Sequence, residues 1–171
     1  MNATPKIHIY YGNGKGKTTA AVGLAVRASA HSFRVEFNGF LKKDVGGENS
    51  VLAKLGVNCS FLDPGTFTWL LKENEKIELA AKAEKHLSAI SERAKNSDLI
   101  VLDEVLDAVS FGFLEESSLL RFLDENPHSE IVLTGRIASP ALMKKADYIT
   151  EMLPIKHPFD KGIKAREGIE Y

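Results

Sequence analysis

Gly12-Asn13-Gly14-Lys15-Gly16-Lys17-Thr18-Thr19 decides how this chain folds. Before it runs Lys6-Ile7-His8-Ile9-Tyr10-Tyr11, which alternates as a strand does, and after it comes the helix-like Ala20-Ala21-Val22-Gly23-Leu24-Ala25. A glycine-rich loop between a strand and a helix can aim several backbone N–H groups at one anion, and the helix N-terminus adds partial positive charge. Glycine permits the close approach and the positive φ that such a loop needs. Lys17 is placed to reach outer phosphates, and the Thr18 hydroxyl to ligate Mg²⁺. The first glycine of the standard pattern would fall on Tyr11, with Gly12 next door. A glycine-rich turn with incidental lysines would leave the flanking strand, the helix and the Gly-Lys-Thr register unexplained.

Outward from the loop, apolar runs alternate with helical patterns, as in repeated βα units around a parallel sheet. Strands are expected at Lys6–Tyr11, Arg34–Phe40, Asn58–Leu62, Leu99–Asp103, Glu130–Thr134 and Tyr148–Met152. Ile100-Val101-Leu102 and Ile131-Val132-Leu133 are unbroken apolar triplets, the mark of strands covered on both faces. Helices are expected over Lys17–Ala30, apolar on nearly all sides and hence buried, and over Glu73–Lys95, with Ile77, Ala80, Ala81, Leu87, Ile90 and Ala94 on its inner face. A third spans Glu115–Glu125 and stops before Asn126-Pro127, and a fourth starts at the Ser139 N-cap with Pro140. The expected fold class is α/β: a single P-loop NTPase-like domain over 1–171, with a mostly parallel sheet flanked by helices on both faces. From about 154 to 171 an irregular tail should wrap over it.

The composition narrows the function. A formal net charge of −1 with interleaved acids and bases argues against a nucleic-acid or membrane-surface binder. One cysteine, Cys59, excludes an internal disulfide and a cysteine-based zinc site. There is no signal-peptide pattern and no apolar run of about 18 residues, so a cytoplasmic protein is expected.

Three further features bear on chemistry. Leu99-Ile100-Val101-Leu102-Asp103-Glu104 is an apolar strand ending in two carboxylates, which beside a phosphate loop would help hold Mg²⁺ directly or through water. Arg136 follows a strand end after Thr134-Gly135, a position facing the ligand crevice of an open α/β sheet. Arg27 stands in an apolar helix and needs a partner if buried, either a nucleotide phosphate or ribose or a structural carboxylate.

The motifs Gly16-Lys17-Thr18-Thr19-Ala20-Ala21-Val22-Gly23, Phe40-Leu41-Lys42-Lys43, Gly47-Glu48, Phe67-Thr68-Trp69, Leu102-Asp103-Glu104-Val105-Leu106-Asp107-Ala108, Leu133-Thr134-Gly135-Arg136, Ala146-Asp147-Tyr148-Ile149-Thr150-Glu151-Met152, Lys156-His157-Pro158-Phe159-Asp160-Lys161-Gly162 and Gly168-Ile169-Glu170-Tyr171 occur in this order. Together they resemble the phosphate-loop ATP:cob(I)alamin, or cob(I)yrinic acid a,c-diamide (corrinoid), adenosyltransferases. The resemblance implies transfer of the 5′-deoxyadenosyl group of ATP to Co(I) of a corrinoid, with release of triphosphate. Cobalt is then the nucleophile, which agrees with the lack of a Ser-His-Asp set or catalytic cysteine. It further implies that Asn13, Gly14, Lys15, Gly16, Lys17, Thr18 and Thr19 bind the phosphates; Gly12, which opens the loop, is counted with them from its place in the loop. Glu104 would share Mg²⁺ with Thr18 (the strand by itself leaves Glu104 or Asp103 as the metal-side carboxylate); Lys17 and Arg136 would stabilise the leaving charge, and Phe67 and Trp69 would line the corrin pocket. On its own, a Phe-x-Trp is more often packing. A homodimer and a flavoprotein-type reductase supplying Co(I) belong to the same expectation.

The chain departs from the family pattern at Tyr11, often threonine, and at Gly39 and Lys43, usually glutamine and glycine. Only five residues precede the first expected strand, so closure over the corrin is expected from elsewhere, such as the tail. A P-loop NTPase or small-molecule kinase, and a non-enzymatic nucleotide- or corrinoid-binding regulator, are the competing readings.

Overall fold

The structure is a computed structural model that describes residues 4–43 and 46–169. Glu170 and Tyr171, the end of the expected tail, lie outside the described residues. The chain runs β1 (Ile7–Tyr11), α1 (Lys17–Ser29), β2 (Val35–Gly39), α2 (Gly47–Lys54), β3 (Asn58–Phe61), α3 (Glu73–Ala94), β4 (Leu99–Asp103), α4 (Val105–Ser110), α5 (Glu116–Glu125), β5 (Glu130–Thr134), α6 (Pro140–Lys145) and β6 (Tyr148–Glu151). Single 3₁₀ turns occupy Thr68–Leu70 and Pro158–Lys161.

All six strands join one parallel sheet in the order β3-β2-β4-β5-β1-β6. The two apolar triplets explain its centre. In β4, Ile100 and Leu102 pack into one hydrophobic cluster while Leu99 and Val101 pack into a second, and β5 divides Ile131 and Leu133 from Val132 in the same way. The pleat sends neighbours to opposite faces, so both faces of these strands are covered. Residues of α1 and α2 cover one face, and residues of α3, α5 and α6 the other. The connection after β1 therefore leaves toward one face and that after β5 toward the other. A crevice opens at the carboxyl ends of such a strand pair.

The expected strands all form, within a residue or two of their expected bounds, and Ser139 caps α6 by accepting from the Leu142 amide. Three helical expectations need correction. The first helix is not buried all round: only Ala21, Ala25 and Ala28 are fully covered, while Val26 and Arg27 face outward. Small alanines let α1 settle on the sheet along one stripe, and nothing packs on its back. In α3 the inner stripe is Leu79, Ala83, Leu87, Ile90 and Ala94, whereas Ile77 is 71% exposed. That stripe keeps the helical period over the whole element, which a line begun at Ile77 does not. Finally, α2 and α4 were not expected. They are eight and six residues long, too short for periodicity to show.

Candidate active site

The carboxyl ends of β1, β4 and β5 converge on a cavity of about 370 Å³, in the size range of small-molecule sites. Its floor is Lys15 to Thr19, the loop end and first turn of α1. No side chain caps that helix start, so its first-turn dipole end is presented to the cavity.

The loop splits into two parts. Lys15, Gly16, Lys17, Thr18 and Thr19 line the cavity; Gly12, Asn13 and Gly14 do not. The Gly12 amide donates to Arg136 O and the Gly14 amide to Met152 O, at 3.1 and 2.7 Å. A Cβ at either glycine would stand 2.6 Å from Met152 O. The close passage of the chain just past β6 is by itself enough to require glycine at these two positions. Lys17 folds back, its Nζ donating to Gly12 O at 2.7 Å and Gly14 O at 2.8 Å. Burial lowers the Lys17 pKa, and the nearby Asp107 carboxylate partly offsets this.

Above the loop stand the acids. Asp103, the last residue of β4, is fully buried and takes the Thr18 hydroxyl at 3.0 and 3.1 Å on its two oxygens and the Thr134 hydroxyl at 2.6 Å. Thr134 also accepts from the Glu104 amide at 2.8 Å, tying the end of β5 to that of β4. Glu104 adopts φ 61°, a left-handed conformation costly for a residue with a Cβ, and so projects into the cavity. Burial, and then the neighbouring Asp103 charge, push its pKa up to about 7. One α-helical turn on, Asp107 accepts from the Arg136 amide at 2.9 Å, and burial raises its pKa too. Arg136 lines the cavity as expected.

The donor set suits Mg²⁺: a hydroxyl, Thr18, and a carboxylate, Glu104, offer hard oxygen atoms and leave room for phosphate oxygens and water. Among the described residues no group of three or more His, Cys, Asp or Glu is arranged to hold a metal ion. Asp103 has its oxygens engaged by the Thr18 and Thr134 hydroxyls, so it holds the Thr18 hydroxyl in place from behind.

The far wall is aromatic. Phe67 and Trp69, on the loop before α3, are 63% and 73% exposed and stack on one another with centroids 4.6 Å apart and planes 13° from parallel. Phe111, after α4, joins them along the cavity and rests edge-on against Phe113. Besides Gly12, Asn13, Gly14 and the buried Asp103, which stand just behind the lining, Arg27 is an expected site residue that the structure does not bring here. It lies in the last turn of α1, exposed, about 15 Å along the helix from Lys17 by helical rise. Sequence reasoning assigned no role to Lys42, Thr134, Asp107 or Phe111; each depends on contacts between distant strand ends.

Residues 3–171 match the family model described as ATP:corrinoid adenosyltransferase BtuR/CobO/CobP. The chain belongs to this family. It is 37% identical over 168 residues to the corrinoid adenosyltransferase of Escherichia coli (strain K12), covering 96% of this chain and 85% of that one. It is 35% identical over 167 residues to the corrinoid adenosyltransferase CobA of Salmonella typhimurium, covering 96% and 85% respectively. The fold is similar to that of a KaiC-like protein from Pyrococcus horikoshii OT3, with a TM-score of 0.52 at 16% identity over 88% of this chain and 74% of that one. Such a likeness places the adenosyltransferase chain in the P-loop NTPase-like fold and says nothing of its reaction.

Proposed function

We propose that this cavity holds ATP and a reduced corrinoid together, with the triphosphate on Lys15 to Thr19 and the corrin against Phe67 and Trp69. The activity is that of the family, transfer of the adenosyl group of ATP to a corrinoid, and the enzyme is a transferase. One observation carries the two-substrate arrangement. An uncapped helix N-terminus with two lysines and a pair of exposed, mutually stacked rings line the same cavity.

In this reaction Co(I) donates its electron pair to the ribose 5′ carbon, and the carbon–oxygen bond pair departs on the triphosphate. The nucleophile is the substrate's own metal, so no side chain has to remove a proton. What remains for the protein is positioning and stabilisation of the leaving charge. Lys17, released from Gly12 O and Gly14 O, meets the phosphates; Lys15 and Arg136 add positive charge at the rim. Thr18 and Glu104 hold Mg²⁺, which when bound neutralises phosphate charge. Asp103 and Thr134 fix the Thr18 hydroxyl and the Glu104 backbone. The stacked rings offer a flat apolar surface to the macrocycle and shed water from it.

The amides of Gly12 and Gly14 are engaged by Arg136 O and Met152 O, so the phosphate contacts fall chiefly to Lys15 to Thr19, and Arg27, in the last turn of α1, lies away from them. A homodimer is part of the same proposal. No helix among the described residues is long and apolar enough to cross a membrane. We place the reaction in the cytoplasm, where a separate flavoprotein-type reductase would supply Co(I).

Trp69 is the sole tryptophan, so its fluorescence reports on the aromatic wall directly. Cob(II)alamin added with Mg-ATP should quench it saturably beyond the inner-filter effect. Unchanged emission while the corrinoid demonstrably binds would remove Trp69 from the site.

A further inference from the structure

Lys42 is a cation that the phosphate site already owns. It follows β2, in a turn where Leu41 takes φ 53° and the Lys42 amide donates to Leu62 O at 3.1 Å. Its ammonium lies 2.8 Å from Glu48 Oε1 on α2 and 3.5 Å from Asp103 Oδ2, with the side chain only 22% exposed. Burial pushes its pKa down, but Asp103, Glu48 and Glu104 together outweigh that and leave it raised. The ammonium therefore stays charged against the carboxylate that also receives Thr18 and Thr134.

A lysine that merely braced α2 would need only Glu48. The second contact puts its charge directly behind Thr18 and next to Glu104, the two residues fitted to a divalent cation. Positive charge there opposes a dication arriving alone, and it is outweighed when the dication brings a polyphosphate. We propose that Lys42 is a positioning residue that sets the order of arrival: it neutralises Asp103 in the nucleotide-free enzyme, so that the divalent cation enters only together with the triphosphate. This rests on the metal–nucleotide reading of the cavity.

The test measures binding, not turnover. Free Mn²⁺ is titrated into the nucleotide-free full chain at pH 8 and read by electron paramagnetic resonance, for the native protein, Lys42→Met, Lys42→Arg and Glu48→Gln. Even at the dielectric of water, one unit charge a few ångströms from a dication changes its binding by about tenfold. Lys42→Met should therefore bind free Mn²⁺ at least about tenfold more tightly than native protein. Lys42→Arg, which keeps the charge, and Glu48→Gln, which leaves the ammonium on Asp103, should show no such gain. Should Lys42→Met fail to fold by circular dichroism, Lys42→Gln is read in its place. Free Mn²⁺ affinity that is unchanged or weaker in the folded charge-removing variant overturns the proposal, as does an equal gain in Lys42→Arg. A separate titration with Mn-ATP keeps the two readings apart. If native protein does not bind Mn-ATP, the metal–nucleotide reading itself falls; if it does and Lys42→Met gains nothing, only the role of Lys42 falls.

Discussion

The two walls of the cavity are built on opposite plans. The phosphate wall is made of strand ends and a helix start, and its polar groups are bonded to one another: Thr18 and Thr134 on Asp103, the Glu104 amide on Thr134, the Arg136 amide on Asp107. The aromatic wall hangs on a loop with one 3₁₀ turn, and its rings are mostly exposed and touch chiefly each other. The difference matches the proposed division of labour between triphosphate and corrin. A departing triphosphate needs donors and charges fixed before reaction, because reorganising them would consume the stabilisation they give. A broad flat macrocycle needs area, which exposed rings can supply by being covered when it arrives.

That contrast can be broken at the phosphate wall first. Lys17→Ala removes the cation proposed to meet the leaving group, along with its bonds to Gly12 O and Gly14 O, and no core side chain. Turnover should fall by on the order of 10²–10³-fold, with ATP affinity weakened and thermal unfolding near native. A folded Lys17→Ala enzyme of full activity would remove the phosphate-loop assignment.

The strain stored at this wall has a pH signature. In metal-free, nucleotide-free buffer the Glu104 carboxyl titrates at about 7 in the folded protein against an ordinary 4.5. Its folded pKa is raised, so its contribution to stability is fully present below 4.5 and is lost as pH rises through about 7. Glu104→Gln cannot ionise. It should be more stable than native protein at pH 8, by about 3 kcal/mol, with the difference vanishing near pH 4.5. Denaturant melts at the two pH values decide this; parallel behaviour at both would mean that Glu104 is not desolvated.

The aromatic wall should respond in the reverse way. Phe67→Ala and Trp69→Ala each remove exposed rings, so stability should move by no more than about 0.5 kcal/mol. ATP affinity should stay native, while the KM for corrinoid rises about tenfold. Should ATP binding fall along with corrinoid binding, the two walls are not the independent halves described here.

How much of this could be read from the residues follows the same divide. The phosphate loop, the acid-ended strand β4 and the apolar triplets are local patterns, and local periodicity or spacing reports them faithfully. Packing across the sheet is not local. Gly12 and Gly14 read as phosphate-loop glycines, and only the folded chain shows that Met152, far along the sequence, also passes against them. Nothing local singles out Lys42 within Phe40-Leu41-Lys42-Lys43; it is the pairing of β2 with β4 that sets it beside Asp103. Arg27 looked like a buried cation because an alanine-rich helix suggests burial on every side, whereas α1 is covered along a single stripe. Helices α2 and α4 escaped because eight and six residues hold too few turns to reveal a period.

The most direct test of the whole account is the phosphate product. Purified enzyme is mixed with Mg-ATP and a chemically reduced corrinoid, and the products are separated. Attack at the ribose 5′ carbon expels all three phosphates together, so adenosylated corrinoid and tripolyphosphate should appear in equal amounts. Almost nothing should form without the corrinoid. Rapid corrinoid-independent release of ADP, with no cobalt–carbon bond formed, would contradict the account and leave an ordinary NTPase in its place.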